Sequence, residues 1–95
     1  MEETGIRERI RDNRNMLIPY YLMLSYLYYV KNESLIDDTE FDIMCKDILN
    51  EWDDLTHWHK PLLNKGNLKA GTGYDIKYPP RVIGAAEQLL KEFNG

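Results

Sequence analysis

Leu17-Ile18-Pro19-Tyr20-Tyr21-Leu22-Met23-Leu24-Ser25-Tyr26-Leu27-Tyr28-Tyr29-Val30 is the stretch on which the fold of this chain turns. Almost every position is apolar or aromatic, so the segment reads as a helix that must be covered on most sides, running to about Asn32. The apolar run over 16–30, with Pro19 and Ser25 inside it, falls short of the roughly 20 residues that cross a bilayer, which makes it a buried helix and not a membrane span. Pro19 lacks an N–H and crowds the preceding turn, so it either kinks a longer helix or sits in the first turn of a new one. The cover comes from the other helices of the chain or from outside it. Tyrosine joins a large apolar body to a polar tip, so a protein partner or a homo-oligomer formed through the Tyr20 to Val30 helix is one of the two expectations.

Upstream, Ile6, Ile10 and Leu17 recur at helical spacing among Arg7, Glu8, Arg9, Arg11, Asp12 and Arg14, which predicts an amphipathic helix over about the first 15 residues. Downstream, Asp37 and Glu40 stand three apart ahead of a periodic apolar run, the spacing of a capping box, and place a helix start there. Phe41, Met44, Cys45, Ile48, Leu49 and Trp52 then form one stripe at intervals of three and four, the strongest periodic signal in the chain. Residues 54–80 form a long connection rich in glycine and proline, with one helical turn over 65–70 and three aromatics, Trp58, Tyr74 and Tyr78, to pin it. After Pro79-Pro80, Val82, Ile83, Ala86, Leu89, Leu90 and Phe93 give the buried face of a last helix over 80–93. The expected fold is all-α: a single domain over 1–95, a small bundle of three to four helices with a long ordered loop before the last.

Composition narrows the function. A chain of 95 residues with 43% hydrophobic and 12% aromatic content builds one modest core and has no room for a layered catalytic unit. Twelve basic against 16 acidic residues argue against sequence-independent, direct nucleic-acid binding, which needs clustered Lys and Arg. The charge is nonetheless segregated: nine acidic and two basic residues lie in 31–54, five basic and one acidic in 57–81. The single cysteine, Cys45, allows neither an internal disulfide nor a multi-cysteine zinc site, and the acidic start lacks the apolar core of a signal peptide. A cytoplasmic protein is the corresponding expectation. Within its helical stripe Cys45 reads as a small buried hydrophobe and not as a nucleophile.

Chemistry-bearing constellations are sparse. His57 and His59 have Asp53 and Asp54 nearby, but nothing fixes a third ligand, so no metal site is assigned. Ala70-Gly71-Thr72-Gly73-Tyr74-Asp75 either presents backbone N–H groups to a phosphate or is a plain turn before Tyr74, and it matches no established phosphate-loop pattern. Asp38 and Asp42 lie four apart on one helix face, a like-charge pair that a ligand or cation would relieve. No catalytic residue and no required cofactor can be assigned.

Tyr26-Leu27-Tyr28-Tyr29-Val30, then Ile36-Asp37-Asp38-Thr39-Glu40-Phe41-Asp42, then Leu49 and Trp52, resemble the N-terminal Ia subdomain of bacterial NAD-dependent DNA ligases. That subdomain is a small helical unit that captures the nicotinamide mononucleotide half of NAD. Its usual pattern is Tyr-His-Val, a short loop, then Ser- or Pro-Asp-x-x-Tyr-Asp at the start of the next helix. The likeness covers about 20–55. It implies that Tyr28 stacks on nicotinamide and that Asp38 and Asp42 contact ribose and amide. Two positions depart: Tyr29 stands where the family has histidine, and Phe41 where it has a tyrosine whose hydroxyl is used. The later Ala70-Gly71-Thr72-Gly73-Tyr74 and Tyr78-Pro79-Pro80 segments look similar to small stand-alone phage proteins described as ligase fragments.

The family's adenylated lysine sits in Lys-x-Asp-Gly, which is missing from these 95 residues. The resemblance therefore implies a non-catalytic, phage-type module in which Tyr28, Tyr29, Asp38, Phe41 and Asp42 bind NAD, nicotinamide mononucleotide or a related nucleotide. The alternatives are a host-directed inhibitor or assembly protein that uses the tyrosine-rich helix, and a detached ligase subunit acting in trans.

Overall fold

The computed structural model describes residues 6–71 and 76–94, with the side chains of Arg7, Phe93 and Asn94 outside the description. Among the described residues the chain is all-helical: α1 (Ile6–Asp12), α2 (Leu17–Tyr29), α3 (Asp38–Asn50), α4 (Lys65–Ala70) and α5 (Pro80–Asn94), with 3-10 turns at Arg14–Met16 and Lys60–Leu62.

α2 is the axis of the fold. From Leu17 to Leu27 every residue but Pro19 is buried, as an all-round apolar helix requires. α5 and α3 both pack against it, α5 the more extensively, and α4 lies on α3. Tyr20, Tyr21 and Tyr26 are therefore core residues, and the chain itself covers the helix as far as Leu27. The surface that the tyrosine-rich helix was expected to offer a partner shrinks to Tyr28, Tyr29 and Val30. The buried hydroxyl of Tyr20 accepts a hydrogen bond from Arg9 Nη1 at 2.6 Å, which satisfies its polar tip and draws α1 onto α2.

The amphipathic start is shorter than its periodicity suggests. Asn13 breaks it by taking extended backbone and accepting a hydrogen bond from the Asn15 N–H, after which the chain tightens into a 3-10 turn before α2. Pro19 is in the first turn of α2, where its missing N–H would have had no helical partner anyway. α2 also stops at Tyr29, three residues before the expected end, because Asn32 adopts a left-handed φ of 58° and the Glu33 N–H reaches back to the Leu27 carbonyl at 2.8 Å. Asparagine is among the few non-glycine residues that tolerate this conformation.

α3 begins where the capping spacing places it, with the Asp37 carboxylate accepting from the Glu40 N–H at 2.8 Å. Met44, Cys45 and Ile48 are buried, while Phe41, Leu49 and Trp52 pack against the core from its margin. The 54–80 connection is held mainly by aliphatic anchors: Leu55, Leu63, Leu68 and Ile76 all join the core. Of the three aromatics expected to pin it, only Tyr78 is seen to do so, meeting Tyr26 edge-on at 5.4 Å. Trp58 instead stands 67% exposed, and Tyr74 lies outside the described residues. No helix among the described residues is long and apolar enough to cross a membrane.

Candidate functional site

The left-handed turn at Asn32 sends the chain from the end of α2 back toward the start of α3, and a cavity of about 230 Å³ opens in the angle between them. It is lined by Leu24, Tyr28 and Tyr29 of α2, by Asp38 and Phe41 of α3, by Ser34, Leu35 and Ile36 of the joining loop, and by Gly71. The loop keeps its shape through the Ser34 hydroxyl, which donates to the Ile36 carbonyl at 2.8 Å.

Four of the five residues that the resemblance pointed to, Tyr28, Tyr29, Asp38 and Phe41, thus line one cavity. Helical spacing accounts for the juxtaposition: Leu24 and Tyr28 are one turn apart on α2, and Asp38 and Phe41 nearly one turn apart on α3. Tyr28 and Tyr29 meet edge to face at 4.8 Å, so each ring restrains the other, and both keep more than a third of their surface open. Phe41 is fixed from behind by stacking on the buried ring of Tyr21 at 5.6 Å.

Asp42 is the exception, for it does not line the cavity. One oxygen accepts from Lys46 Nζ one turn along α3, so the like-charge pair with Asp38 is partly compensated by a cation. The other faces Gly71. A Cβ on Gly71 would sit 2.8 Å from Asp42 Oδ1, and Gly71 has a left-handed φ of 72°, so space and backbone both demand glycine there. Gly71 is the C-cap of α4, a helix started by the Asn64 side chain, which accepts from the Asn67 N–H at 3.2 Å. Asp42 therefore adjoins the cavity through the glycine that lines it. The rest of the 70–75 stretch considered for phosphate contact lies outside the described residues.

Leu24, Ser34, Leu35 and Ile36 carried no chemical signal in the sequence, since aliphatic and small residues in a helix and a short loop look like ordinary packing. Gly71 did carry one, as a glycine able to approach a ligand closely.

The remaining candidates, Cys45, His57 and His59, are not among the residues that line the cavity. Burial, reinforced by the neighbouring charge of Asp42, pushes the Cys45 thiol up to about 12, so it is inert near neutrality. The His57 and His59 rings lie 5.4 Å apart, but His57 Nδ1 accepts from the His59 N–H at 3.1 Å. Among the described residues no group of three or more His, Cys, Asp or Glu side chains could hold a metal ion. Burial, then the proximity of His59, lowers the His57 pKa. The acidic middle segment meets one arginine of the N-terminal stretch: Arg14 pairs with Glu51 through Nε at 3.0 Å and reaches Asp47 at 3.5 Å.

A scan against protein-family models, a search of curated proteins and a search of solved structures each found no match to this chain.

Proposed function

We propose that this chain is a non-catalytic module that binds a nicotinamide nucleotide in the cavity between α2 and α3, with the likeness to the Ia subdomain of NAD-dependent DNA ligases as its origin. The observation that carries the reading is that Tyr28, Tyr29, Asp38 and Phe41, picked out from two separate sequence motifs, line the same cavity. Aromatic side chains suit a flat heterocycle, and a carboxylate accepts from ribose hydroxyls. At about 230 Å³ the space is below the roughly 300–1,000 Å³ of sites that bury drug-sized ligands, which favours a single base and sugar over a whole dinucleotide.

Calorimetric titration with nicotinamide mononucleotide tests the proposal. Binding is expected, and Asp38→Ala should weaken it about tenfold or more, the scale of a lost hydrogen bond to a charged group. Phe41→Tyr, which restores the hydroxyl that the ligase pattern has, should tighten it. Absence of heat for the mononucleotide, for NAD and for nicotinamide riboside would end the reading. The second reading, a protein-directed inhibitor, is favoured by the exposure of Tyr28, Tyr29 and Val30 side by side. It predicts that substitutions at Tyr28 and Val30 abolish capture of a stoichiometric protein partner, with nucleotides having no effect.

A further inference from the structure

The lining of the α2–α3 cavity has a one-sided chemistry. Three of its side chains are aromatic, Tyr28, Tyr29 and Phe41, one is a carboxylate, Asp38, and among the described residues none is Lys, Arg or His. Asp38 is exposed and has no hydrogen bond or ion pair among the described residues, unlike Asp42, whose charge is met by Lys46. Lys31, just beyond the end of α2, is engaged elsewhere, 3.8 Å from Glu87 on α5. The two tyrosine rings stand at 87° to each other, and Phe41 is backed by Tyr21, so the rings that line the space are not coplanar. Aromatic rings and an uncompensated carboxylate are thus gathered around one space with no positive group of the protein among them.

We propose that the cavity receives an N-alkylated organic cation, its charge held between the aromatic rings and the Asp38 carboxylate. The electron-rich face of an aromatic ring attracts a cation, and a carboxylate adds a direct charge attraction. A bare ammonium is compact and strongly hydrated, and aromatic rings do not replace the water it would give up. An N-alkylated cation carries the same charge on an apolar body. An anion is the poorer occupant: the start of a helix attracts one, but Asp37, Asp38 and Glu40 already make the start of α3 negative, and no cationic side chain among the described residues lines the space. The proposal deepens the nucleotide reading and rests on it for the site. Nicotinamide joined to ribose is an N-alkylated pyridinium, so the charge of that ring, and not the phosphate, is what the cavity reads.

Calorimetric titration of the full chain with nicotinamide methylated on its ring nitrogen, a fixed cation, and with neutral nicotinamide as the matched uncharged ring, tests this. The cation is expected to bind about fivefold or more tightly than the neutral ring, within the roughly 2- to 30-fold that a cation over aromatic rings supplies. Tetramethylammonium distinguishes a flat cation from a compact one, and binding of either supports the proposal. Asp38→Asn, which keeps the side-chain shape and removes its charge, should weaken the cation about threefold or more and leave nicotinamide unchanged. Tyr28 is 45% exposed, so Tyr28→Leu should keep the parent circular dichroism while weakening the cation to a similar degree. No binding of either cation, equal affinity for the methylated and the neutral ring, or undiminished cation binding in Asp38→Asn would each overturn the proposal. If the cations bind and nicotinamide mononucleotide does not, the nucleotide reading falls and this one stands. If the mononucleotide binds and charge makes no difference, the reverse holds.

Discussion

At the scale of single residues, Gly71 and Cys45 illustrate opposite ways in which a side chain, or its lack, serves the cavity. Gly71 has a positive φ, and a Cβ added to it would sit 2.8 Å from Asp42 Oδ1, so Ala there would both strain the backbone and push the carboxylate aside. Gly71→Ala is therefore expected to lower stability by about 1–2 kcal/mol, the left-handed penalty for a residue with a Cβ. Urea unfolding followed by circular dichroism measures it, and an unchanged midpoint would contradict the assigned role. Cys45 sits on α3 one turn behind the cavity-facing residues, fully buried. Its thiol, held up to about 12, should react with a disulfide reagent at pH 8 only as fast as the protein opens. Rapid stoichiometric labelling of the folded protein would show the helix packing to be wrong.

At the scale of elements, the cavity depends on where two helices end and begin. Asp37 caps α3 through the Glu40 N–H, and the loop that lines the cavity leads straight into that cap. Asp37→Ala should cost about 1 kcal/mol of stability, within the usual 0.5–2 kcal/mol for a lost N-cap, and should weaken nucleotide binding along with it. The far end of α3 is tied to the N-terminal segment by Arg14 on Glu51 and Asp47. Arg14 holds the Glu51 carboxyl below its usual pKa, chiefly through the hydrogen bond. A depressed carboxylate contributes stability that is present above its unfolded value of about 4.3 and is lost as pH falls through the folded value. His57, lowered by burial and then by His59, acts higher on the scale: stability is full above about 6.5 and declines as pH falls toward the folded pKa. Melting temperature against pH should thus show two declines on acidification. Arg14→Ala should flatten the acid one and leave the histidine one in place, whereas loss of both, or of neither, would contradict this assignment.

At the scale of the whole molecule, the all-α fold and the central α2 were legible in the sequence because a 14-residue apolar run allows little besides a buried helix. The α3 stripe and its cap were legible for the same reason, local periodicity and local hydrogen bonding. What escaped was decided by tertiary contact or by single backbone angles. Asn13 breaks α1 through its own side chain, Asn32 ends α2 by turning left-handed, and Leu55, Leu63, Leu68 and Ile76, scattered through a glycine- and proline-rich stretch, anchor the long connection without any periodic signature. Trp58 looked like an anchor by composition and is a surface residue by packing. Of the candidate site, the aromatic and carboxylate members were visible as motifs. The loop residues were not, because their part is to shape space.

Whether the cavity between α2 and α3 receives a nicotinamide nucleotide is tested most directly by amide chemical-shift mapping with nicotinamide mononucleotide. Saturable shifts are predicted for Tyr28, Tyr29, residues 34–38, Phe41 and Gly71, with the α5 amides at rest. No shift at millimolar ligand, or shifts concentrated away from these positions, would contradict it.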